Sequence, residues 1–277
     1  MVGTLILCAG PIGNLADAPP RLAEALVSAS MIYAEDTRRA RTLLRYLGVD
    51  RPVRSYFVGN EAERAIEIGA HLSNGDTIAL LTDAGTPSVA DPGVTAVRAA
   101  VDAGAIVTGV PGPSAVTLAI ALSGESGDRF VFEGFLPRKS RARVRRIEAI
   151  GREERTIVLF SAPGRLGTDL DDLAVHIGDR TCVVCREMTK LHEEVWRGTV
   201  AAGAEYWSER SVKGEVTVVI AGGVTPVPDL DAAIEAAVSA IEGGEKPSSA
   251  VRRVAKETGV SRRSLYEAVI GLEEDDE

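Results

Sequence analysis

The run Thr77-Ile78-Ala79-Leu80-Leu81-Thr82-Asp83-Ala84-Gly85-Thr86-Pro87-Ser88-Val89-Ala90-Asp91-Pro92-Gly93 decides the fold. Thr77 to Leu81 is a short, nearly continuous apolar strand, and a helical run from Val94 to Ala103 follows the loop. Buried strands that alternate with helices make a parallel sheet covered on both faces. Between the two elements lies a loop with two Gly-or-Pro clusters and two carboxylates. Its prolines restrict the backbone and its glycines let a ligand approach it. Open α/β sheets bind ligands just beyond the carboxyl ends of their strands, which is where this loop sits.

The same alternation extends in both directions. Strands are read at Thr4–Ala9, Met31–Ala34, Pro52–Phe57 and Ile106–Val110. Helices are read at Pro20–Ala29, Arg38–Leu47, Glu61–Ser73 and Ser114–Leu122. Pro20 suits a first helical turn, where a missing N–H costs nothing. After Gly124 the texture changes: strands at Arg129–Glu133, Thr156–Ser161, Thr181–Glu187, Val195–Gly198 and Glu215–Ala221 join helices at Arg141–Ile150 and Gly164–Val175. Their late hairpin-like spacing predicts a mixed sheet. Gly222 to Asp229 reads as a Gly/Pro linker, beyond which lie three short helices and the acidic tail Glu273–Glu277. The expected division is 1–123, 124–225 and 226–277.

With 277 residues, 45% of them hydrophobic, the chain is long enough for about two domains with real cores. No apolar run approaches the roughly 20 residues of a membrane span, and Met1 to Ala9 enters a strand without a basic leader, so a cytoplasmic protein is expected. Three cysteines imply no disulfide framework, and three scattered histidines imply no metal site. Cys182-Val183-Val184-Cys185 has redox-motif spacing but lies inside an apolar strand, which favours two buried thiols. The net charge of −9 argues against coating nucleic acid but leaves room for local basic patches.

Three more segments carry functional signal. Gly10-Pro11-Ile12-Gly13-Asn14 and Pro111-Gly112-Pro113-Ser114-Ala115 also follow strands; the first lacks the spacing of a dinucleotide-binding loop, and the Pro-Gly-Pro of the second is common turn chemistry. Each alone reads equally well as a tight turn, whereas three such loops at one sheet edge make a site. Ala34-Glu35-Asp36-Thr37-Arg38-Arg39 ends the second strand; its charges either cap the next helix, through Asp36 or Thr37, or polarise a substrate.

Together with Glu133-Gly134-Phe135-Leu136-Pro137, and in this order, these motifs resemble the bacterial RsmI family, over essentially the whole chain. These are 16S rRNA (cytidine-2′-O)-methyltransferases that act at decoding-centre cytidine 1402, within the tetrapyrrole methylase (class III S-adenosylmethionine-dependent) superfamily. The resemblance implies a two-domain tetrapyrrole-methylase-like α/β fold with a parallel-rich N-terminal sheet and a mixed second sheet. It also implies a small C-terminal helical module, a homodimer, and S-adenosylmethionine held between the two α/β domains. Cofactor contacts would come from Pro11, Asp83, Gly85, Thr86, Ser88, Val89, Ala90, Ser114 and Ala115, and from Ser161, Ala162, Met188, Ala221 and Gly222 of the second domain.

Methyl transfer to a ribose hydroxyl needs in-line positioning and is helped by a base, but needs no metal. Glu35, Asp36, Glu133 and Glu187 are available carboxylates, with Arg38, Lys139 and Lys190 as charge partners. The catalytic expectation is that Glu35 or Asp36 orients or deprotonates the hydroxyl while Arg38 holds the substrate. Two basic stretches are candidate RNA surfaces for 16S rRNA or the 30S subunit. One is 138–146, with Arg138, Lys139, Arg141 and Arg143. The other is the helix-turn-helix-like segment 246–266, with Arg252, Arg253, Arg262 and Arg263 on its exposed face. A tetrapyrrole-type small-molecule methyltransferase and a non-enzymatic S-adenosylmethionine sensor are the alternatives. The basic stretches disfavour the former, and tight DNA binding without methyl transfer would mark the latter.

Overall fold

The computed structural model describes residues 2–223 and 229–275. Part of the expected linker, 224–228, and the last two residues of the acidic tail lie outside the described residues. The described chain forms two compact units that meet in sequence at Gly223 and Val224.

In the first unit, β1 (Thr4–Cys8), β2 (Met31–Ala34), β3 (Val53–Ser55), β4 (Thr77–Leu81) and β5 (Ile106–Val110) pair in parallel in the order β3-β2-β4-β1-β5. The connecting helices are α1 (Pro20–Ser28), α2 (Thr37–Leu47), α3 (Glu61–Ser73) and α4 (Val94–Asp102). Alternate strand residues serve opposite faces, as the pleat requires. Leu5, Tyr33, Ile78 and Leu80 pack with Ile68 and Leu72 of α3 and Ala96 and Ala100 of α4. Ile6, Ile32, Ala79 and Leu81 pack with Leu22 and Leu26 of α1 and Leu43 and Leu44 of α2. Burying each such Leu or Ile contributes about 2 kcal/mol of transfer free energy.

Coverage stops at β5, contrary to the expectation of a sheet covered throughout. Ile106 and Val107 of this edge strand are exposed. The reason is the helix that follows: α5 (Ala115–Ser123) does not return over β5. Its Val116, Ala119 and Ile120 pack instead with Val158, Val183 and Val219 of the second sheet.

That second sheet contains β6 (Phe130–Phe135), β7 (Thr156–Ser161), β8 (Thr181–Arg186), β9 (Glu194–Thr199) and β10 (Val216–Ile220), in the order β6-β7-β10-β8-β9. Only β6 and β7 are parallel; the other neighbours are antiparallel. Its other face is covered by α6 (Arg141–Gly151), α7 (Leu166–Ile177) and α8 (Val200–Ser208). The sequence reading assigns no element to α8, whose Thr199 cap accepts from the N–H of Ala202 and whose Trp207 is buried in this core. Cys182 and Cys185, three apart on one strand, face opposite cores.

The second unit holds α9 (Leu230–Glu242), α10 (Pro247–Thr258) and α11 (Arg262–Asp275), three helices as the sequence predicts. Its core is Ala233, Ala237, Val251, Val254, Val260, Leu265 and Val269. Gly259, left-handed at φ 74°, ends α10 and makes the turn into α11. Among the described residues no helix is long and apolar enough to cross a membrane, and no group of side chains is arranged to hold a metal ion.

Candidate active site

The loops after β1 and β4 are tied by reciprocal backbone bonds: Gly10 N–H donates to the Gly85 carbonyl at 2.9 Å, and Gly85 N–H returns to Gly10 at 3.2 Å. The β4 loop also reaches the end of β2, where Asp36 N–H donates to Asp83 Oδ1 at 2.9 Å and Arg39 pairs with Asp83 at 3.2 Å. Within the β4 loop, Ser88 and Ala90 take left-handed backbone angles at φ 71° and 63°. Such angles are costly for residues with a Cβ and persist where the surroundings over-determine them. Here Ser88 Oγ is buried without a partner and presses on Gly93, where a Cβ would collide with it.

These loops and the second sheet enclose two adjoining cavities that share Ile12, Ala84 and Glu215 as walls. One, of about 350 Å³, is mostly apolar: Phe135, Phe160, Val89, Val116 and Met188 surround backbone from Gly85, Thr86, Ala90, Ser114, Ala115, Ser161 and Ala162. Phe135 and Phe160 form a tilted aromatic pair with centroids 5.5 Å apart. The other, of about 360 Å³, is more polar and more open: Pro11, Gly13, Arg39, Thr42, Asp83 and Lys190 line it beside Leu15, Ala40, Leu43 and Leu81.

The expected cofactor residues divide accordingly. Gly85, Thr86, Val89, Ala90, Ser114, Ala115, Ser161, Ala162 and Met188 line the apolar cavity. Pro11 and Asp83 line the polar one instead, and Ser88 stands behind the loop it braces. Ala221 and Gly222 are not at either cavity. Because β10 runs antiparallel to β7, Val216 lies opposite Ser161, so the start of β10 with Gly214 and Glu215 faces the cavity. Ala221 and Gly222 sit at the far end, where Gly222 packs on the backbone of Glu154. Among the charged wall residues, the sequence reading misses Glu215, which lies in no quoted motif, and passes over Arg39 at the end of the Ala34–Arg39 segment and Asp91 in the β4 loop.

The acidic groups differ sharply. Asp36 caps α2, accepting from the N–H groups of Arg38 and Arg39, and binds the Arg38 guanidinium; that bond chiefly holds its pKa down at about 2. Glu35 is pushed up, first by burial and then by the charge of Asp83, and its Oε2 is buried without a partner. Asp91, which lines the apolar cavity, is pushed up to about 7, by burial foremost and then by Glu35, Asp83 and Glu215. In the polar cavity, burial opposes the charge on Lys190, but bonds to Glu187 at 2.8 Å and Glu215 at 2.9 Å outweigh it and hold the ammonium above its ordinary pKa.

Of the basic stretch, Arg138, Lys139 and Arg141 are exposed. Arg143 is not: it is buried, with its guanidinium held by Asp169, Asp172 and the Pro137 carbonyl, so it is not a phosphate contact in this arrangement. In the helical unit Arg252, Arg253, Arg262 and Arg263 are all exposed; Arg253 pairs with Glu245 and Glu257, and Arg263 with Glu267.

Residues 4–203 match the family of tetrapyrrole (corrin/porphyrin) methylases. The ribosomal RNA small subunit methyltransferase I of Synechocystis sp. is 41% identical over 99% of this chain and 100% of its own length. That of Mycobacterium tuberculosis is 42% identical over 97% of this chain and 95% of its own. The chain belongs to the small subunit methyltransferase I branch of the tetrapyrrole methylases. A crystal structure of diphthine synthase, 18% identical, covers 79% of this chain and 90% of its own with a TM-score of 0.62, which shows the shared tetrapyrrole-methylase fold.

Membership in the methylase family makes S-adenosylmethionine the methyl donor, and the apolar cavity fits it. Its aromatic and thioether walls suit an adenine ring, and the loop backbone from Gly85 to Ala90 suits the polar ends.

Proposed function

We propose that this chain methylates the ribose 2′-oxygen of decoding-centre cytidine 1402 in 16S rRNA, acting in the cytoplasm as a homodimer on the assembled 30S subunit. One observation carries the reading: an apolar cavity suited to the donor adjoins, with Ile12, Ala84 and Glu215 as shared walls, a more polar cavity lined with Arg39 and Lys190, suited to a sugar-phosphate. The names of the curated relatives, ribosomal RNA small subunit methyltransferase I, support a small-subunit rRNA substrate. We read 1–123 and 124–225 as the domains that supply the two sides of the site, and 226–277 as an RNA-docking module.

Bound in the apolar cavity, S-adenosylmethionine supplies an electrophilic methyl group and a neutral leaving group. The chain's residues do the positioning. Loop backbone at Gly85 to Ala90 and the start of α5 fix the donor side. Arg38, Arg39 and Lys190 hold the acceptor nucleotide so that its hydroxyl approaches to about 3–3.5 Å in line. Asp36 is committed to its cap and to Arg38, so it serves the site by steadying that arginine. The hydroxyl proton goes to the ionised carboxylate of Asp91, which borders the donor cavity and whose proton affinity, raised by burial and by the charge of Glu35, suits it as a base near neutral pH. The exposed Arg138, Lys139 and Arg141 contact phosphates nearby.

Methyl transfer from labelled S-adenosylmethionine to 30S subunits lacking this modification, followed by nuclease mapping, tests the reading. Label on the ribose of the decoding-centre cytidine is expected. Donor binding with no label on rRNA would return the weight to a small-molecule acceptor.

A further inference from the structure

A chain of hydrogen bonds runs from the wall of the apolar cavity to the basic segment that follows β6. Ser161, in that wall, donates through Oγ to Asp169 Oδ2 at 2.8 Å. Asp169 is buried in the first turn of α7, and its Oδ1 accepts from Arg143 Nη2 at 2.8 Å and Arg165 Nη2 at 3.3 Å. Both guanidiniums reach onward. Arg143 Nη1 donates to the Pro137 carbonyl at 3.0 Å, and Arg165 Nη2 to the Arg138 carbonyl at 3.2 Å. Asp172 accepts from Arg143 Nε at 2.7 Å and completes the set.

Residues 136–140 belong to neither helix nor strand, so these two carbonyls have no ladder to join. Immediately beside them stand the exposed Arg138, Lys139 and Arg141. A buried ion pair is a poor route to stability, since desolvation offsets much of its attraction. A rigid guanidinium fork is, however, well suited to fixing a segment in one geometry.

We infer that Asp169 and Arg143 are positioning residues that hold the 137–141 segment, and with it the RNA-contacting Arg138, Lys139 and Arg141, in register with the donor cavity through Ser161. This rests on the reading that the segment contacts RNA. The arrangement explains why one arginine within a basic run is buried: it shapes the surface that its neighbours present.

The test uses the full-length enzyme with 30S substrate. It measures kcat and KM for 30S, donor affinity by calorimetry and melting temperature. Arg143→Lys, which keeps the charge but loses the fork, and the milder Arg165→Gln are each expected to raise KM for 30S on the order of tenfold, the effect of one lost charge-assisted bond. In both, kcat at saturating 30S and donor affinity stay within about twofold, because neither change touches the cavity wall. Asp169→Asn should raise KM and weaken donor binding together, because it alone also contacts Ser161. A lower melting temperature with unchanged KM in Arg143→Lys and Arg165→Gln would overturn the positioning role. The control Arg138→Ala/Arg141→Ala separates the two ideas: raised KM there sustains the RNA reading, whereas unchanged KM there would overturn that reading and the inference with it.

Discussion

The stem of Lys190 lies across Gly13: a Cβ on Gly13 would stand 2.5 Å from Cγ and 2.7 Å from Cε of that lysine. Gly13 belongs to the loop after β1, whereas Lys190 follows β8 and is bound to Glu187 and Glu215 on the second sheet. The absence of a side chain on one side of the cleft thus lets a cation from the other side reach into the polar cavity.

Gly13→Ala should therefore act as a lesion in Lys190. The backbone at Gly13 needs no left-handed angle, so the fold tolerates alanine and melting should hardly change. We expect a loss in kcat/KM on the order of tenfold, about 1.4 kcal/mol. Lys190→Ala should cost at least as much, and adding Gly13→Ala to it should cost nothing more. Additive losses in this double-mutant cycle would show that Gly13 acts independently of the lysine.

Asp36 should prove dispensable as a base. Its pKa, held at about 2 chiefly by the bond from Arg38, lies below the ordinary aspartate value of 3.8. A depressed carboxylate contributes stability that is present above pH 3.8 and fades only as pH falls through about 2, so it adds no pH dependence near neutrality. Asp36→Asn keeps a capping oxygen, so turnover should stay within about threefold and melting nearly unchanged, whereas Asp36→Ala loses the cap and should melt a few degrees lower. Abolished turnover in Asp36→Asn, with donor binding intact, would restore it as the proton acceptor.

Much of the fold was legible because strand period and loop chemistry agree along the chain. Met31–Ala34, Glu61–Ser73, Thr77–Leu81 and Ile106–Val110 match their elements residue for residue. What the sequence hides is where elements go. Nothing local in Ala115–Ser123 says that α5 abandons β5 for the second sheet. Strand direction is hidden likewise: the family resemblance implies cofactor contacts at Ala221 and Gly222, at the end of the last strand, but β10 is antiparallel to β7 and presents Glu215 at its start. Charge pattern alone groups Arg143 with its basic neighbours because it does not record burial; its partners Asp169 and Asp172 lie a helix away.

The cysteines should be inert in the folded protein. Burial pushes Cys8 and Cys182 up to about 12 and Cys185 up to about 11, so almost no thiolate exists at pH 8. Facing opposite cores, Cys182 and Cys185 cannot join without breaking β8. Native protein should take up no iodoacetamide in an hour at pH 8, and denatured protein should take up three equivalents, one per cysteine. The melting temperature should not respond to dithiothreitol. Rapid native labelling would mean that β8 opens readily.

The pH behaviour of the site should be governed by Asp91. Its pKa is raised, by burial first and then by Glu35, Asp83 and Glu215, from 3.8 to about 7. A carboxyl raised on folding favours the protonated form. Its contribution to stability is then fully present below pH 3.8 and is lost as pH rises through about 7. Melting temperature measured from pH 4 to 8 should fall across this window in the wild type and fall less in Asp91→Asn. The rate should move the other way, since only the ionised carboxylate accepts the proton: kcat/KM should rise with pH through an acidic limb near 7. Asp91→Asn should lower kcat on the order of 10²–10³-fold with donor affinity retained. Glu35→Gln removes one of the charges that raise Asp91, so its limb should shift to lower pH with a smaller loss at the plateau. An unshifted limb in Glu35→Gln, with normal turnover in Asp91→Asn, would place the proton acceptor elsewhere.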